Sequence, residues 1–271
     1  LSDDPSSQLD WVMRSAELAE RHLGDESRAI DWYERALSLD PTHLPALQAL
    51  AKLYGQAQLW PPLVALHLRE ANNAREPERR AAAYHRVAEI YERQLNEREQ
   101  AIVHHARALG IVPGYEPSFR ALSRLYSEAR RFDELVELYE RAVEQAEDAE
   151  TKFTFLFKIG RIFEDLLQAP HRAVHTYRRI LALDGRHLAA LHALQRAAER
   201  SGEWGALVEG LIHEAKLLED PKRKVALIHR AGEVSEELLR DDDAALAHYR
   251  EVLALDPRYA PVLSSLGRLH V

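Results

Sequence analysis

The stretch that decides the fold is Ala29–Pro41, AIDWYERALSLDP, which returns three more times along the chain. The later copies begin at Ala101, Ala173 and Ala245, and the three steps (101−29, 173−101 and 245−173) are equal, which gives a 72-residue period. A fixed period over a whole chain indicates an architecture built by stacking one structural unit. Because such an array grows by adding units, the length of 271 residues does not by itself imply two globular domains.

Composition favours helices throughout the chain. Charged residues make up 30% and hydrophobic residues 46%, and there are only 11 Gly and 12 Pro. Ala, Leu, Glu and Arg dominate, and these residues are strong helix formers. Alternating runs of β-branched and aromatic residues, which are typical of strands, are absent. The chain is therefore predicted to be all-α.

Charge and cysteine content exclude several classes of protein. The net charge of −8 argues against a nucleic-acid binder, which usually carries a basic excess. With no Cys, the fold must be held by apolar packing. No apolar run approaches the roughly 18 residues of a membrane span, and the start, LSDDPSSQLDW, does not resemble a signal peptide. These features predict no membrane insertion and a cytoplasmic location.

Each 72-residue unit contains two helical hairpins. In one helix, Leu44, Leu47, Leu50, Ala51 and Tyr54 are spaced three and four residues apart, which places them on one apolar face. The same reading along the chain predicts fifteen helices, with a polar tail at 1–7 and short linkers. The predicted hairpins cover about 8–39, 42–75, 77–111, 115–146, 149–183, 187–218 and 221–255, and an extra helix covers 259–271.

These hairpins resemble tetratricopeptide repeats, whose pattern of large apolar, small, aromatic and Pro positions runs over about 34 residues. The resemblance covers nearly the whole chain and implies a right-handed α-solenoid of seven hairpins plus one C-terminal helix. Within this family, large bacterial scaffold proteins are expected to resemble the chain most. The residues that follow the pattern in one hairpin are Phe119, Leu122, Ser123, Tyr126, Phe132, Leu135, Tyr139 and Ala142.

Two hairpin types alternate, and this explains the 72-residue period. The second type carries about one extra residue in the turn between its helices, as in Glu92–Glu99. Its second helix has a small Ala, which lets helices approach, and a Tyr such as Tyr177, which fills the gap to the next helix. His105 replaces this Tyr in the second copy, and a hydrogen-bonded structural variation is the expected explanation.

No catalytic motif is found. The chain has no G-x-S-x-G nucleophile elbow, phosphate-binding loop or HExxH metal motif. His171 and His175 stand four residues apart, but no acidic ligand stands at the positions that a zinc helix requires. The segment is therefore predicted to be non-enzymatic, with no cofactor, metal or catalytic residue.

The resemblance places the binding surface on a concave groove lined by the first helix of each hairpin. Transferring the family's register predicts partner-binding residues at Lys52, His85, Arg86, Arg120, Arg124, Lys158, Arg161, His192 and Arg196. The same register also gives Arg14, Glu17, Gln48, Glu89, His229, Arg230, Glu233 and Arg268. No Asn occurs at these positions, although the family's chaperone-tail clamps use Lys and Asn there, so recognition of a chaperone C-terminus is not expected.

A basic strip in an acidic protein suggests an acidic partner. The strip is Arg120, Arg124, Lys158, Arg161 and Arg196, and opposed charge in a concave site concentrates ligands of the other sign. The competing interpretation is a solvated face in which these cations pair with nearby acids. The acids considered for that role are Glu128, Glu164 and Asp165.

The leading prediction is a non-enzymatic scaffold that binds a partner protein or peptide. The partner classes are an acidic peptide, a folded protein such as a small GTPase, or another subunit. The last helix carries Val262, Leu263, Leu266, Leu269 and Val271. Such an apolar flank predicts self-association through the solenoid ends, or an array that continues in a larger protein. The alternatives are an RNA-processing scaffold and the regulatory arm of an enzyme whose catalytic domain lies elsewhere.

Overall fold

The structure, a computed structural model, describes residues 5–269, and side chains over 6–267. This part of the chain contains fifteen α-helices and no strand. The first helices of the hairpins are α1 Pro5–Leu18, α3 Leu44–Gln56, α5 Pro77–Arg93, α7 Glu116–Glu128, α9 Ala149–Arg161, α11 Leu188–Ser201, α13 Pro221–Val234 and α15 Ala260–Leu269. The second helices are α2 Glu26–Leu39, α4 Trp60–Asn73, α6 Arg98–Ile111, α8 Phe132–Gln145, α10 Pro170–Leu183, α12 Trp204–Leu217 and α14 Asp242–Leu255.

The helices belong to two compact units, α1–α7 and α8–α15, divided in the chain after Arg130. The first unit contains three complete hairpins and α7, and the second contains α8, three complete hairpins and α15. The hairpin predicted over 115–146 contributes one helix to each unit. The all-α prediction is confirmed for the described residues, and a single solenoid over 8–271 stays a prediction.

The repeated stretch forms the second helix of every other hairpin, and its small and aromatic positions are buried as predicted. The four repeated Ala residues have no exposed surface, and the three Tyr residues are at most 3% exposed. Each Tyr hydroxyl also donates to a Glu thirteen residues earlier, which satisfies its polar atom inside the core. These bonds are Tyr33–Glu20 (2.8 Å), Tyr177–Glu164 (2.7 Å) and Tyr249–Glu236 (2.6 Å).

A glycine makes room for this Tyr in the later copies. A Cβ at Gly160 would stand 2.5 Å from Tyr177 Cε1, and one at Gly232 would stand 2.4 Å from Tyr249 Cε1. Both distances are too short for carbon atoms in contact. The absence of a side chain at these two positions therefore lets the aromatic ring lie directly against the neighbouring helix.

The extra residue of the second hairpin type is absorbed by a wider helical turn. Three first helices end in a π-helical turn, at Ala19–Leu23, Ile162–Leu166 and Ser235–Leu239. In the second copy α5 ends with a bond of the same i→i−5 type, from Leu95 N–H to the Ile90 carbonyl (3.1 Å). The next turn always contains one left-handed residue: Gly24 (φ 63°), Asn96 (φ 55°), Gln168 (φ 49°) and Arg240 (φ 54°).

The two ends of the chain differ from the predictions. Helix α1 begins at Pro5, so residues 5–7 of the polar tail predicted over 1–7 form its first turn. Residues 1–4 and 270–271 lie outside the described part of the chain. In α15, Val262 is buried and Leu263 is 54% exposed. The predicted apolar side chains at Leu269 and Val271 lie outside the described side chains.

Within residues 5–269, none of the helices has both the length and the apolar character that crossing a bilayer requires.

Candidate functional site

Three of the predicted binding cations occupy the same place in successive repeats, and each pairs with a carboxylate 32 residues earlier. These carboxylates are the ones that stand thirteen residues before the repeated Tyr position. Each repeat therefore neutralises one first-helix cation in the same way. The pairs are Lys52–Glu20 (2.8 Å), Arg124–Glu92 and Arg196–Glu164 (3.0 Å).

In the second unit, Glu164 is the centre of a dense network. Its side chain is 2% exposed and accepts from Nε and Nη2 of Arg196, at 3.1 and 3.0 Å, and from Arg200 Nη1 at 3.2 Å. Burial alone raises the pKa of Glu164, but hydrogen bonds from Arg196 and Tyr177 outweigh it, so the pKa lies below its ordinary value. Glu164 is therefore a buried anion that Arg196 and Arg200 cover.

In the first unit, both predicted cations of α7 are paired. Arg120 binds Glu116, one turn earlier, and Arg124 Nη1 lies 3.1 Å from Glu128 Oε1. The hydrogen bond that Arg124 donates to Glu92 is the main cause that raises the pKa of Arg124 above its ordinary value. Glu128 is one of the three acids that the solvated-face interpretation considers, and the other two, Glu164 and Asp165, also pair with cations of the strip, Arg196 and Arg161.

The cations of α9 are held more loosely. Lys158 Nζ stands 5.4 Å from the Tyr139 ring centre and 5.2 Å from that of Phe155. Arg161 is 76% exposed, and its Nε is 3.7 Å from Asp165 Oδ2. An exposed pair at this distance contributes little energy. Of the strip cations in the second unit, Lys158 and Arg161 are therefore the two that a ligand would displace from their present contacts at less cost than Arg196.

The two histidines predicted to bind a partner differ in how exposed they are. His192 is exposed on α11, where its Nε2 lies 3.0 Å from Glu214 Oε1. His85, by contrast, is half-buried: its Nδ1 lies 3.1 Å from Ser118 Oγ, and its ring centre is 5.1 Å from that of His105. Burial lowers the pKa of His85. His85 therefore lies in a polar cluster and offers less surface than His192, as the buried His229 does, and its role in partner binding stays a prediction.

Arg86 and Gln48 meet at a cavity of about 260 Å³ between α3, α4 and α5 of the first unit. Both were predicted from the register, whereas the buried His67 and Glu70, which complete its wall, were missed. They lie on α4, a second helix, and the register considers first helices alone. Their spacing of three residues on one helix face was the available signal. The lining residues are Leu44, Leu47, Gln48, Ala51, His67, Glu70 and Arg86.

Glu70 is the electrostatic centre of this cavity. Arg86 Nη2 donates to its Oε2 at 2.6 Å and Arg79 Nε to its Oε1 at 3.1 Å, while His67 Nδ1 lies 3.4 Å from Oε2. Burial alone raises the pKa of Glu70, but these neighbours outweigh it and lower the pKa to about 2. Glu70 is therefore ionised over the physiological range.

The remaining register positions add no second cluster of this kind among the described side chains. Glu89 pairs with Arg93 (3.0 Å), and Arg230 lies 3.7 Å from Glu233. The side chain of Arg268 lies outside those that the structure describes. Over residues 5–269, no three His, Cys, Asp or Glu side chains stand together as a metal site requires.

Two family models match the chain, and both describe a tetratricopeptide repeat. One covers residues 16–43 and the other residues 118–152. These two matched stretches confirm the expected resemblance of the hairpins to tetratricopeptide repeats.

Similar proteins differ widely in length from this chain. Superkiller protein 3 of Schizosaccharomyces pombe is 26% identical over 125 residues, which is 45% of this chain, and the match spans 9% of that relative's length. The solved structure of YrrB, described as a TPR protein with an unusual peptide-binding site, is 16% identical with a TM-score of 0.35 over 69% of this chain and 92% of that one. Naa15/Naa10 bound to HypK-THB is 16% identical with a TM-score of 0.47 over 97% and 39%.

Proposed function

We propose that this chain is a non-enzymatic scaffold that binds a partner protein or peptide through the exposed faces of its first helices. The observation that carries the proposal is the cationic character of those faces in a chain with net charge −8. In the second unit, Arg161 is 76% exposed and Lys158 is held by aromatic rings rather than by a carboxylate. An acidic segment is the partner chemistry that such a face favours.

The internal ion pairs make the prediction sharper. Arg124 and Arg196 bind Glu92 and Glu164, the Glu that recurs in each repeat, so a ligand that recruits them must compete with an existing partner. Lys158 and Arg161 carry little of this cost. We therefore propose that these two side chains contribute more to the capture of an acidic ligand than Arg196 does.

The test uses a fluorescein-labelled, glutamate-rich twelve-residue peptide and measures its anisotropy with the intact chain. Binding is expected at low salt and should weaken at high salt, because exposed charges are screened. Lys158→Glu with Arg161→Glu is expected to reduce the affinity at least tenfold, which corresponds to about 1.4 kcal/mol.

The control changes charge equally at a different place. Arg186 and Arg258 are exposed residues of turns in the same unit, so Arg186→Glu with Arg258→Glu alters the net charge by the same amount. If both double variants weaken binding equally, the peptide responds to net charge and the proposed face is incorrect.

A further inference from the structure

We propose that the cavity between α3, α4 and α5 is a recognition pocket for an acidic side chain next to an aliphatic one in a partner segment. This inference rests on the proposed scaffold function and names one subsite for it within the first unit. At about 260 Å³, the cavity suits a side chain with part of its backbone, since pockets for drug-sized molecules start at roughly 300 Å³.

One wall of the pocket is apolar. Leu44, Leu47 and Ala51 lie on the same face of α3, spaced three and four residues apart. Leu47 is buried, whereas Leu44 is 45% exposed at the rim. An aliphatic side chain placed here would cover Leu44 and remove apolar surface from water, which is favourable.

The opposite wall holds one guanidinium group and one carboxylate. Arg86 lines the pocket and donates to Glu70, while Arg79, which is not among the lining residues, binds the other oxygen of Glu70. Nη1 of Arg86 makes no hydrogen bond within the described residues. An added carboxylate would supply this nitrogen with an acceptor.

The equivalent place two repeats later, in the second unit, shows what closes such a pocket. Gln195 stands two repeat periods after Ala51, and its Nε2 donates to Glu214 Oε2 at 2.7 Å. Glu214 is likewise the equivalent of Glu70. The longer side chain of Gln195 therefore reaches the carboxylate, whereas Ala51 leaves space in front of it.

The charge arrangement differs as well. Arg230, the equivalent of Arg86, pairs with Glu199 and Glu233 at 3.8 and 3.7 Å rather than with Glu214. The acidic centre of that repeat is instead bound by His192 and Gln195. Of the two equivalent places, the one in the first unit thus combines an open apolar wall with a guanidinium group at the carboxylate.

The experiment titrates two blocked peptides, acetyl-Gly-Leu-Glu-Gly-amide and acetyl-Gly-Leu-Gln-Gly-amide, into the intact chain with methyl groups labelled for NMR. The Glu peptide is expected to shift the methyl signals of Leu44, Leu47 and Ala51. The Gln peptide should bind about tenfold more weakly, because a charge-assisted hydrogen bond is lost. Equal binding of the two peptides, or no shift at these methyl groups, would overturn the proposal.

Two variants test the two walls separately. Ala51→Gln should abolish the shifts by filling the cavity. In the second unit Gly210 gives Gln195 room, but Leu66 stands at the equivalent position in the first unit, so circular dichroism is needed to check that the variant folds. Arg86→Gln should remove the preference for Glu over Gln, while Arg230→Gln, at the equivalent place, should leave it unchanged. If Arg86→Gln keeps the full preference, the pocket is not the site.

The outcome is separable from the scaffold proposal. If the pocket proposal is wrong, Lys158→Glu with Arg161→Glu should still weaken binding of the glutamate-rich peptide. If these substitutions leave that binding unchanged while the Glu peptide still shifts the Leu44 and Leu47 methyl signals, the proposed face is wrong and the pocket is not.

Discussion

In the second and third copies of the repeat, different side chains occupy the position of the repeated Tyr. In α9/α10, Tyr177 donates to the buried Glu164, which Arg196 and Arg200 also bind. In α5/α6, His105 replaces the Tyr and its Nδ1 lies 3.2 Å from Ser118 Oγ. Equivalent positions thus hold a charged network in one copy and a neutral cluster in the other. The two hairpins should respond to different perturbations.

The neutral cluster is built mostly from aromatic and imidazole rings. His85 and His105 share the hydroxyl of Ser118, and His104 stacks on Tyr91 with ring centres 5.4 Å apart. His105 Nε2 is buried without a hydrogen-bond partner among the described residues. Burial lowers the pKa of His105 to about 3, and a positive charge on a neighbouring side chain lowers it further. The neighbours with this effect are the arginines Arg93 and Arg124 and, when protonated, His85 and His104.

The largest expected difference between the copies follows removal of the carboxylate. Glu164→Ala should destabilise the protein by about 3 kcal/mol, because it leaves a buried Tyr hydroxyl and two guanidinium groups without their shared partner. Glu92→Ala should cost only about 1 kcal/mol, because Arg124 keeps Glu128 and no Tyr depends on Glu92. Urea denaturation measures both, and hydrogen exchange in α9–α11 localises the first. Equal losses would show that the repeat Glu has the same role in both copies.

An intermediate effect is expected from restoring the Tyr in the second copy. The folded pKa of His105 lies below the ordinary value of about 6.5 in the unfolded chain. Its stabilising contribution is therefore complete above pH 6.5 and falls as the pH drops toward 3. His105→Tyr removes this penalty, so its stability relative to the parent should rise by about 2 kcal/mol between pH 7 and pH 5.

Thermal unfolding followed by circular dichroism at the two pH values checks this difference. His248→Phe is the comparison variant outside this cluster. Burial lowers the pKa of His248 too, but Glu251 and Asp241 oppose this, so a change of the same sign and smaller size is expected. A relative stability of His105→Tyr that does not change with pH would contradict burial of a neutral imidazole.

The smallest effect concerns the left-handed turn residue. Gln168 and Asn96 occupy equivalent positions with φ of 49° and 55°. Asn tolerates this conformation better than Gln, and Gly tolerates it best. Gln168→Gly should therefore stabilise the protein by about 1 kcal/mol and Asn96→Gly by less than about 0.5 kcal/mol. Urea midpoints measure both changes, and a larger gain at Asn96 would reverse the expected ranking.

Much of the fold was predictable because packing repeats with the sequence. The Ala that lets helices approach and the Tyr that fills the gap recur with the 72-residue period, and both are buried where predicted. The extra residue of the second hairpin type was also visible in the sequence. That a π-helical turn absorbs it was not, because helical periodicity does not reveal which turn widens.

The candidate site was predictable only in part. The register identified the cations, but adjacent turns supply only some of their acids. Lys52, Arg124 and Arg196 each pair instead with a Glu that stands 32 residues earlier. The recurrence of Glu20, Glu92, Glu164 and Glu236 at equal steps was the signal that could have found these pairs. The register could not show how much of His85 is covered, because Ser118 and His105, which contact its ring, come from other helices.

The sequence by itself determined the helical hairpins, their alternation in two types and the residues that separate them, because local periodicity and small-residue spacing act within and between adjacent helices. Only the tertiary structure decided which charges are available. Ion pairs such as Arg196–Glu164 and the cavity beside Ala51 depend on how side chains of neighbouring helices meet. The repeat spacing shows which residues are equivalent, whereas the distances between them follow from how the helices pack.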